Sequence, residues 1–566
     1  MFIKEILVKN FKCFKDTTRI TFNYPTNSIK GSGLNVFVGE NNSGKSTIFE
    51  AIDFLRNNTR KDLSIVKNKN SDEQEMFVEI TFVGNVRETI NNFAQENKKK
   101  IFEKYIYICG NEECLKLRRA LDDIKEIRLW NDNKQSFINE SGIDAPLKKI
   151  FEINFIWADT NPNDEASFGA TTICGNLLKE IIKDFAEKDG YKNFRESFNK
   201  TFNSEESELR KELKRIENRT QEIFKEQFGE AHISFHFEEL KIESFFKNAK
   251  IEIDDGTSTF MEEKGSGMQR SVALALLQVY AEELTSMLDI SSQRKPFFLF
   301  IDEPEICLHP KSQNKLFSAL LGLSSCNQIF ISTHSPYFVD PAYVDSITKI
   351  RRDDIRGIEV YKVNWSSLKN ELKLNRNFFL NHRELFFSNK ALFLEGIEDY
   401  ERYSKFCLNN GYEKLVEFMI TMNGCDVTLG FEKFCNEFGV DFYAIVDVDF
   451  AINRSKWARG NRKKLVRDIK SFFSNNDISF ESDKFDSIML EELIEKPREG
   501  DRKTEEIFDG DCSIHKVINK NIFVLKDGEV KDYLNKNGAI INNDINRESE
   551  LKSVFGFINK GMLSDS

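Results

Sequence analysis

The chain has 566 residues, of which 40% are hydrophobic and 31% charged, with a net charge of −11. That length exceeds one hydrophobic core and implies two or three domains, and the composition excludes a disordered chain. The charge excludes a polycation, so contact with nucleic acid would need a local basic surface.

Residues 1–10 (MFIKEILVKN) alternate apolar and polar side chains and predict a strand, not a leader peptide. The longest apolar runs, such as residues 296–301 (PFFLFI), are too short to span a bilayer. The ten cysteines are scattered, and Cys109 and Cys114 have no second pair at zinc-like spacing. Reduced thiols in a cytoplasmic protein without membrane contact are the expectation.

Residues 34–38 (LNVFV) read as a buried strand, followed by residues 39–47 (GENNSGKST) and a helical stretch at 48–55. This is a phosphate-binding loop in its full strand–loop–helix context. Gly39 and Gly44 let the backbone wrap around phosphates, and the N–H groups of Asn41, Asn42, Ser43 and Thr47 belong to the same cradle. Lys45 can reach the outer phosphates and Ser46 can coordinate Mg²⁺, so the expected ligand is ATP with Mg²⁺.

Residues 205–228 (EESELRKELKRIENRTQEIFKEQF) carry Leu209, Leu213, Ile216, Ile223 and Phe224 at near-helical spacing amid charge. They predict an exposed helix or one arm of a helical pair. Further on, residues 265–269 (GSGMQ) precede a helix expected to start near Arg270. Residues 297–303 (FFLFIDE) form an apolar strand running into Asp302, suited to the Mg²⁺ shell, and Glu303, suited to polarising water. After a third strand, 328–332 (QIFIS), His334 in 332–336 (STHSP) can sense the γ-phosphate.

Near residue 380 a new unit begins. Residues 390–395 (KALFLE), 442–447 (FYAIVD) and 521–525 (NIFVL) read as buried strands separated by helices, a small parallel α/β domain with ligand groups at the carboxyl ends of its strands. Glu395 ends the first strand. Asp399 lies four residues on and can point back to the same cation from a helix beginning there. Asp447 and Asp449 end the second strand. Carboxylates without Cys or His favour Mg²⁺ or Mn²⁺ and would repel one another without a cation. Metal-activated water at such a site gives phosphodiester cleavage. The basic run at 454–464 (RSKWARGNRKK) is a candidate nucleic-acid contact or a solvated face.

These motifs carry a resemblance. Ser266, Gly267 and Gln269 match the signature loop of ABC ATPases, in which two heads pair to close each nucleotide site. Residues 303–310 (EPEICLHP) and 11–14 (FKCF) resemble the branch of ABC ATPases found in DNA repair and phage defence. Residues 395–400 (EGIEDY) with 446–449 (VDVD) resemble the Toprim motifs of the overcoming-lysogenization-defect (OLD) nuclease family, which includes the nuclease subunit of the Gabija anti-phage system. The resemblance implies an α/β fold: an ABC-type ATPase domain over 1–350 with a helical insertion at about 160–245 that could serve dimerisation, a connector at 351–385, and a Toprim nuclease domain over 386–566. It implies further acidic ligands after a late strand, for which Glu529 and Asp532 are the candidates although Lys531 stands where an acid is expected, and a catalytic lysine near the end, for which Lys560 is the candidate. The activity implied is ATP-regulated, metal-dependent cleavage of double-stranded DNA by a homodimer or tetramer, with or without a separate helicase-like subunit. Two alternatives stay open at this level: a toxin-like effector cutting RNA such as tRNA, and a DNA-repair clamp without nuclease activity, against which Glu395, Asp447 and Asp449 speak.

Overall fold

A computed structural model of the chain describes residues 1–26, 28–57, 66–71, 75–120, 123–158, 189–202, 204, 207–229, 232–235, 250–286, 295–353, 356–364, 382–422, 424, 427–446, 521–525 and 530–563. The chain opens with β1 (Phe2–Lys9), β2 (Thr18–Thr21), β3 (Leu34–Val38) and helix α1 (Lys45–Asn57). Then come β4 (Phe77–Val83), β5 (Tyr107–Cys109), β6 (Glu112–Ala120), β7 (Asp123–Asn131), β8 (Ser136–Asn139) and β9 (Glu152–Ile156). Helices α2 (Asp189–Phe202) and α3 (Glu208–Phe228) follow, and then the hairpin β10 (Glu252–Asp254) and β11 (Ser258–Phe260). Helix α4 (Ser266–Ser286), β12 (Phe297–Asp302), α5 (Pro310–Leu323), β13 (Gln328–Ser332), β14 (Ile347–Asp353) and β15 (Gly357–Lys362) complete the first unit.

Two sheets make up this head. The first runs β2-β1-β4-β6-β7-β8, with β5 on β6, and is antiparallel. The second runs β15-β14-β3-β13-β12-β9; it is parallel except for the β14–β15 hairpin. β3, β12 and β13 are buried at every position, which accounts for their mainly apolar sequence without alternation: a parallel sheet covered on both faces has no solvent side to show. Between the sheets lies α1, in a core where Phe49 stacks edge-on against both Phe37 and Phe300, and Phe300 lies flat on Phe330 with ring centres 4.2 Å apart.

The second unit contains β16 (Lys390–Leu394), α6 (Ile397–Asn410), β17 (Met419–Thr421), α7 (Thr428–Glu437), β18 (Asp441–Val446), β19 (Ile522–Val524), the single turn α8 (Val530–Tyr533) and α9 (Ile545–Leu563). Its sheet has the order β17-β16-β18-β19, and every pairing is parallel. β16 alternates across it. Ala391 and Phe393 enter the core shared with the head, beside Val36, Phe386 and Phe434, whereas Leu392 and Leu394 face Tyr403, Phe406 and Phe555 of α6 and α9. The two units are therefore joined through a common apolar layer.

Several expectations shift by a few residues. The helix after the signature-like loop starts at Ser266 instead of near Arg270, so Ser266, Gly267 and Gln269 form its first turn. The helix after Glu395 starts at Ile397 instead of near Asp399. The head's sheet continues through the β14–β15 hairpin to Lys362, past residue 350, because β14 pairs with β3 on one side and β15 on the other. Helices α2 and α3 fall inside the expected insertion and pair with each other. Leu209, Ile216, Ile223 and Phe224 are exposed along α3, which Ser207 caps by accepting the Arg210 N–H. The strands β5 to β9 were not read from the sequence: in β6 the charged Arg119 is fully buried on the face that carries Leu115 and Leu117, which interrupts the alternation.

At the seam between the units Lys349 is fully buried, and burial followed by the neighbouring Arg351 charge lowers its ammonium from 10.5 to about 7. A neutral amine still has two N–H groups, and Lys349 Nζ donates to the carbonyls of Ser388 and Gly439. The unfolded chain holds this proton up to a higher pH than the folded one, so Lys349 makes stability rise as pH climbs from about 7 towards 10.5. Urea midpoints measured near both ends of that window are expected to rise less in Lys349→Met than in the unsubstituted protein.

Candidate nucleotide and acidic sites

β3 delivers the chain into the loop at Gly39, whose φ of +147° and tight surroundings admit no side chain: a Cβ there would lie 2.1 Å from the Ile350 carbonyl oxygen. Gly44 has φ +106° and would place a Cβ 2.7 Å from Cys13 Sγ. Glu40, Asn41 and Asn42 are exposed at the lip of the loop, with Asn42 at φ +61°. Lys45 and Ser43 are buried, whereas Ser46 and Thr47 at the start of α1 are half-buried. Lys45 Nζ donates to the carbonyls of Gly39 at 3.1 Å and Glu40 at 2.9 Å, and burial pulls its ammonium below the usual range against the opposing charges of Glu303 and Asp302.

Ser46 Oγ donates to Asp302 Oδ1 at 2.9 Å, and Ser332 Oγ donates to the same oxygen. The strand end, the loop and the neighbouring strand thus meet on one carboxylate. Glu303 follows at φ +48°, a left-handed conformation that turns it off the strand, with its N–H donated to Ser332 O at 2.9 Å. Its side chain is one-third exposed, and Oε1 lies 3.9 Å from His334 Nε2, beyond hydrogen-bond length. Burial, then the Lys45 charge, lowers the His334 imidazole below its usual value, so near neutral pH it is an uncharged hydrogen-bonding group.

Glu305 was missed as an individual residue. Its half-buried carboxylate accepts from Thr333 Oγ1 at 2.8 Å and from the His334 N–H at 2.6 Å, which fixes the loop carrying His334, and desolvation raises its pKa. The signal available was a second carboxylate two positions after Glu303. Arg270, also not anticipated, donates from α4 to Glu303 O at 3.3 Å and Ala158 O at 3.4 Å. Ser266 and Gly267 lie against Cys307, and Gln269 donates to Glu262 O and Lys264 O, folding back on its own loop. They form a separate element next to Cys307.

The residues fit Mg²⁺-ATP. Ser43 Oγ is buried without a hydrogen-bond partner, and Lys45 holds only backbone carbonyls in a place where phosphate oxygens would bind more strongly. Beside the loop a cavity of about 420 Å³ is lined by Lys12, Cys13, Lys67, Asn68, Arg352 and Ile358 among others. When bound, the cation would neutralise phosphate charge; Ser46 and Asp302 would hold it, Lys45 would hold the outer phosphates, and Glu303 would orient water. A methyl group on Gly39 has no space and the wrong backbone preference. Gly39→Ala is expected to weaken ATP binding more than about tenfold, the scale of losing about 1.4 kcal/mol, as read by titration with a fluorescent ATP analogue.

In the second unit Glu395 directly follows the carboxyl end of β16, where its carbonyl accepts from the Gly424 N–H at 2.9 Å. β18 lies alongside, with Leu394 opposite Ile445, and Val446 opposite Val524 of β19. Three neighbouring strands thus finish at one edge. Asp399 does point back, and its Oδ2 accepts from the Gly396 N–H at 2.8 Å, capping α6. Asp532 lies in α8, with its backbone carbonyl accepting from Arg547. Lys560 is exposed in the last turns of α9, and that end of the helix meets the amino end of β16, where Lys390 Nζ donates to Met562 O at 2.6 Å. The structure does not bring Lys560 together with Glu395. Asp447, Asp449, Glu529 and the basic run 454–464 lie outside the described residues. Among the described residues no group of three or more His, Cys, Asp or Glu is set to hold a metal ion, and no helix is long and apolar enough to cross a membrane.

A glycine-rich loop between a buried strand and a helix, with Asp302 at the end of β12, one strand beyond β13, and Ser46 hydrogen-bonded to it, defines a P-loop ATPase head. The chain belongs to the AAA ATPase domain family, whose model matches residues 1–339. Its curated relatives are OLD nucleases: it is 24% identical over 486 residues to the Old nuclease of Escherichia phage P2, covering 80% of this chain and 78% of that one. It is 22% identical over 417 residues to the OLD nuclease of Thermus scotoductus, covering 70% of this chain and 72% of that one. Among solved structures, an SMC head bound to the C-terminal winged-helix domain of ScpA is similar at 18% identity and a TM-score of 0.39, covering 65% of this chain and 100% of that one.

Proposed function

We propose that the chain is an ATP-regulated, divalent-metal-dependent DNA endonuclease of antiviral defence, with a Toprim domain as its second unit. The observation that carries this reading is the parallel sheet β17-β16-β18-β19, which sets Glu395 at the carboxyl end of one central strand and leads the next directly towards Asp447. The match to OLD nucleases supports it, because 80% of the chain is a longer span than the head alone provides. Glu395, Asp447 and Asp449 are the proposed holders of Mg²⁺ or Mn²⁺, with Asp399 as the cap that orients the turn after Glu395 and Asp532 and Glu529 as further proposed acidic ligands. Mg²⁺ or Mn²⁺ would supply an activated water and charge stabilisation for phosphodiester cleavage. Two copies, as a homodimer or within a tetramer, bring Ser266 and Gly267 of one head to the nucleotide of the other.

The test is incubation of the purified chain with supercoiled plasmid, with Mg²⁺ or Mn²⁺ and with or without ATP. Nicked or linear plasmid that disappears on chelation supports the proposal. Intact plasmid under every condition, or degradation of total tRNA in its place, overturns the DNA assignment.

A further inference from the structure

The β14–β15 hairpin touches both functional units. On the nucleotide side, the carbonyl of Ile350 closes on Gly39, and Lys349 pairs in register with Val38, the last residue before the phosphate loop. Arg352, Asp353, Gly357 and Ile358 of the same hairpin line the cavity beside that loop, with Ile358 Cδ1 near Gly44. On the other side, Arg351 grips the second unit with a two-pronged contact. Its two terminal nitrogens donate to Asp441 Oδ1 and Oδ2, each at 3.1 Å, and one also donates to Gly439 O at 3.2 Å. Lys349 donates to Ser388 O and Gly439 O, and the Tyr361 ring packs so closely on Gly439 that a Cβ there would lie 2.4 Å away.

Those contacts fall on one place in the second sheet. Ser388 stands just before β16, Gly439 and Asp441 stand at the start of β18, and Asp441 N donates to Asn389 O at 2.8 Å, tying the two starts together. β16 and β18 are the strands whose far ends carry Glu395 and lead to Asp447. A shift of the hairpin when nucleotide fills the loop therefore moves the amino ends of these two strands as a unit. The shared apolar layer prevents the sheets from sliding freely, so displacement passes along the strands without being absorbed between the units.

We infer that the β14–β15 hairpin is the link by which nucleotide binding at the phosphate loop repositions the strands carrying Glu395, with the Arg351–Asp441 fork as its grip on the second unit. The link deepens the nuclease reading by naming how the acidic edge is regulated, and rests on that reading only for its consequence. Arg351 is a positioning residue: its guanidinium bonds to Gly439 O and Asp441, at the opposite ends of the strands from Glu395. A guanidinium fork fits a carboxylate in a fixed orientation, whereas an ammonium does not, so Arg351→Lys keeps charge and fold but loosens the grip.

The test is amide hydrogen exchange on the full chain with and without saturating Mg²⁺-ATP, followed at residues 390–394 and 439–446. The unsubstituted protein is expected to show a nucleotide-dependent change there. Arg351→Met should reduce that change at least about threefold and Arg351→Lys by a smaller factor, while ATP affinity stays within about twofold. If Arg351→Met does not fold, the lysine variant decides. An undiminished response in the variants, or none in the unsubstituted protein, overturns the link. The readout needs no cleavage, so a chain that couples ATP to these strands yet leaves plasmid intact would sink the nuclease reading and keep the link.

Discussion

Glu395→Ala is expected to abolish metal-dependent plasmid cleavage while leaving ATP binding within about twofold. Glu395 follows β16 at the edge where three parallel strands end, whereas the phosphate loop follows β3 in the other sheet, with Lys45 bonded to Gly39 O and Glu40 O and Ser46 bonded to Asp302. Loss of a supporting group behind a metal ligand alone costs 10- to 100-fold, so removal of a ligand should exceed about a hundredfold. Agarose-gel assays of nicking and titration of a fluorescent ATP analogue, run on the same preparation, check both halves. Cleavage at the unsubstituted rate would remove Glu395 from the chemistry.

Glu303→Gln should slow ATP hydrolysis on the order of a hundredfold or more, the usual contribution of a positioned acid–base group, and should preserve or tighten ATP binding. Its backbone is turned into a left-handed conformation directly after β12, its N–H is tied to Ser332, and its side chain is left one-third open beside His334. No hydrogen bond to Lys45, Ser46 or Asp302 is lost in the amide, so the loop that holds the phosphates stays intact. Phosphate release at saturating ATP measures the first effect and equilibrium binding the second. Unchanged turnover would assign water activation to another group; Glu305 is a poor substitute, because its carboxylate is committed to Thr333 and the His334 N–H.

Much of the head was legible because its signals are local. β3, β12 and β13 coincide with the mainly apolar runs, since a strand covered on both faces is apolar except where a buried polar group finds a partner, as Asn35 and Gln328 do. The loop at 39–47 announces itself through glycines whose positive φ no other residue tolerates as readily. The antiparallel strands β5 to β9 were not legible. In β6 the fully buried Arg119 shares a face with Leu115 and Leu117 and pairs with Asp144, so a charged residue serves as part of a packed face and breaks the alternation. A second carboxylate two positions after Glu303 marked Glu305 as acidic but not its role, which exists only because β12 and β13 are neighbours in space, with Asp302 opposite Ser332.

By itself, the amino-acid order determined which segments are strands and where phosphate and carboxylate chemistry can reside, because backbone permissiveness and burial on two faces constrain residue type position by position. Only the tertiary structure decided that Ser46 meets Asp302 across 256 positions and that Arg351 meets Asp441 across 90, and that the helix end carrying Lys560 meets the amino end of β16. Such contacts follow from strand order and register, which are set by how whole apolar faces pack together and leave no trace in the spacing of the residues they join.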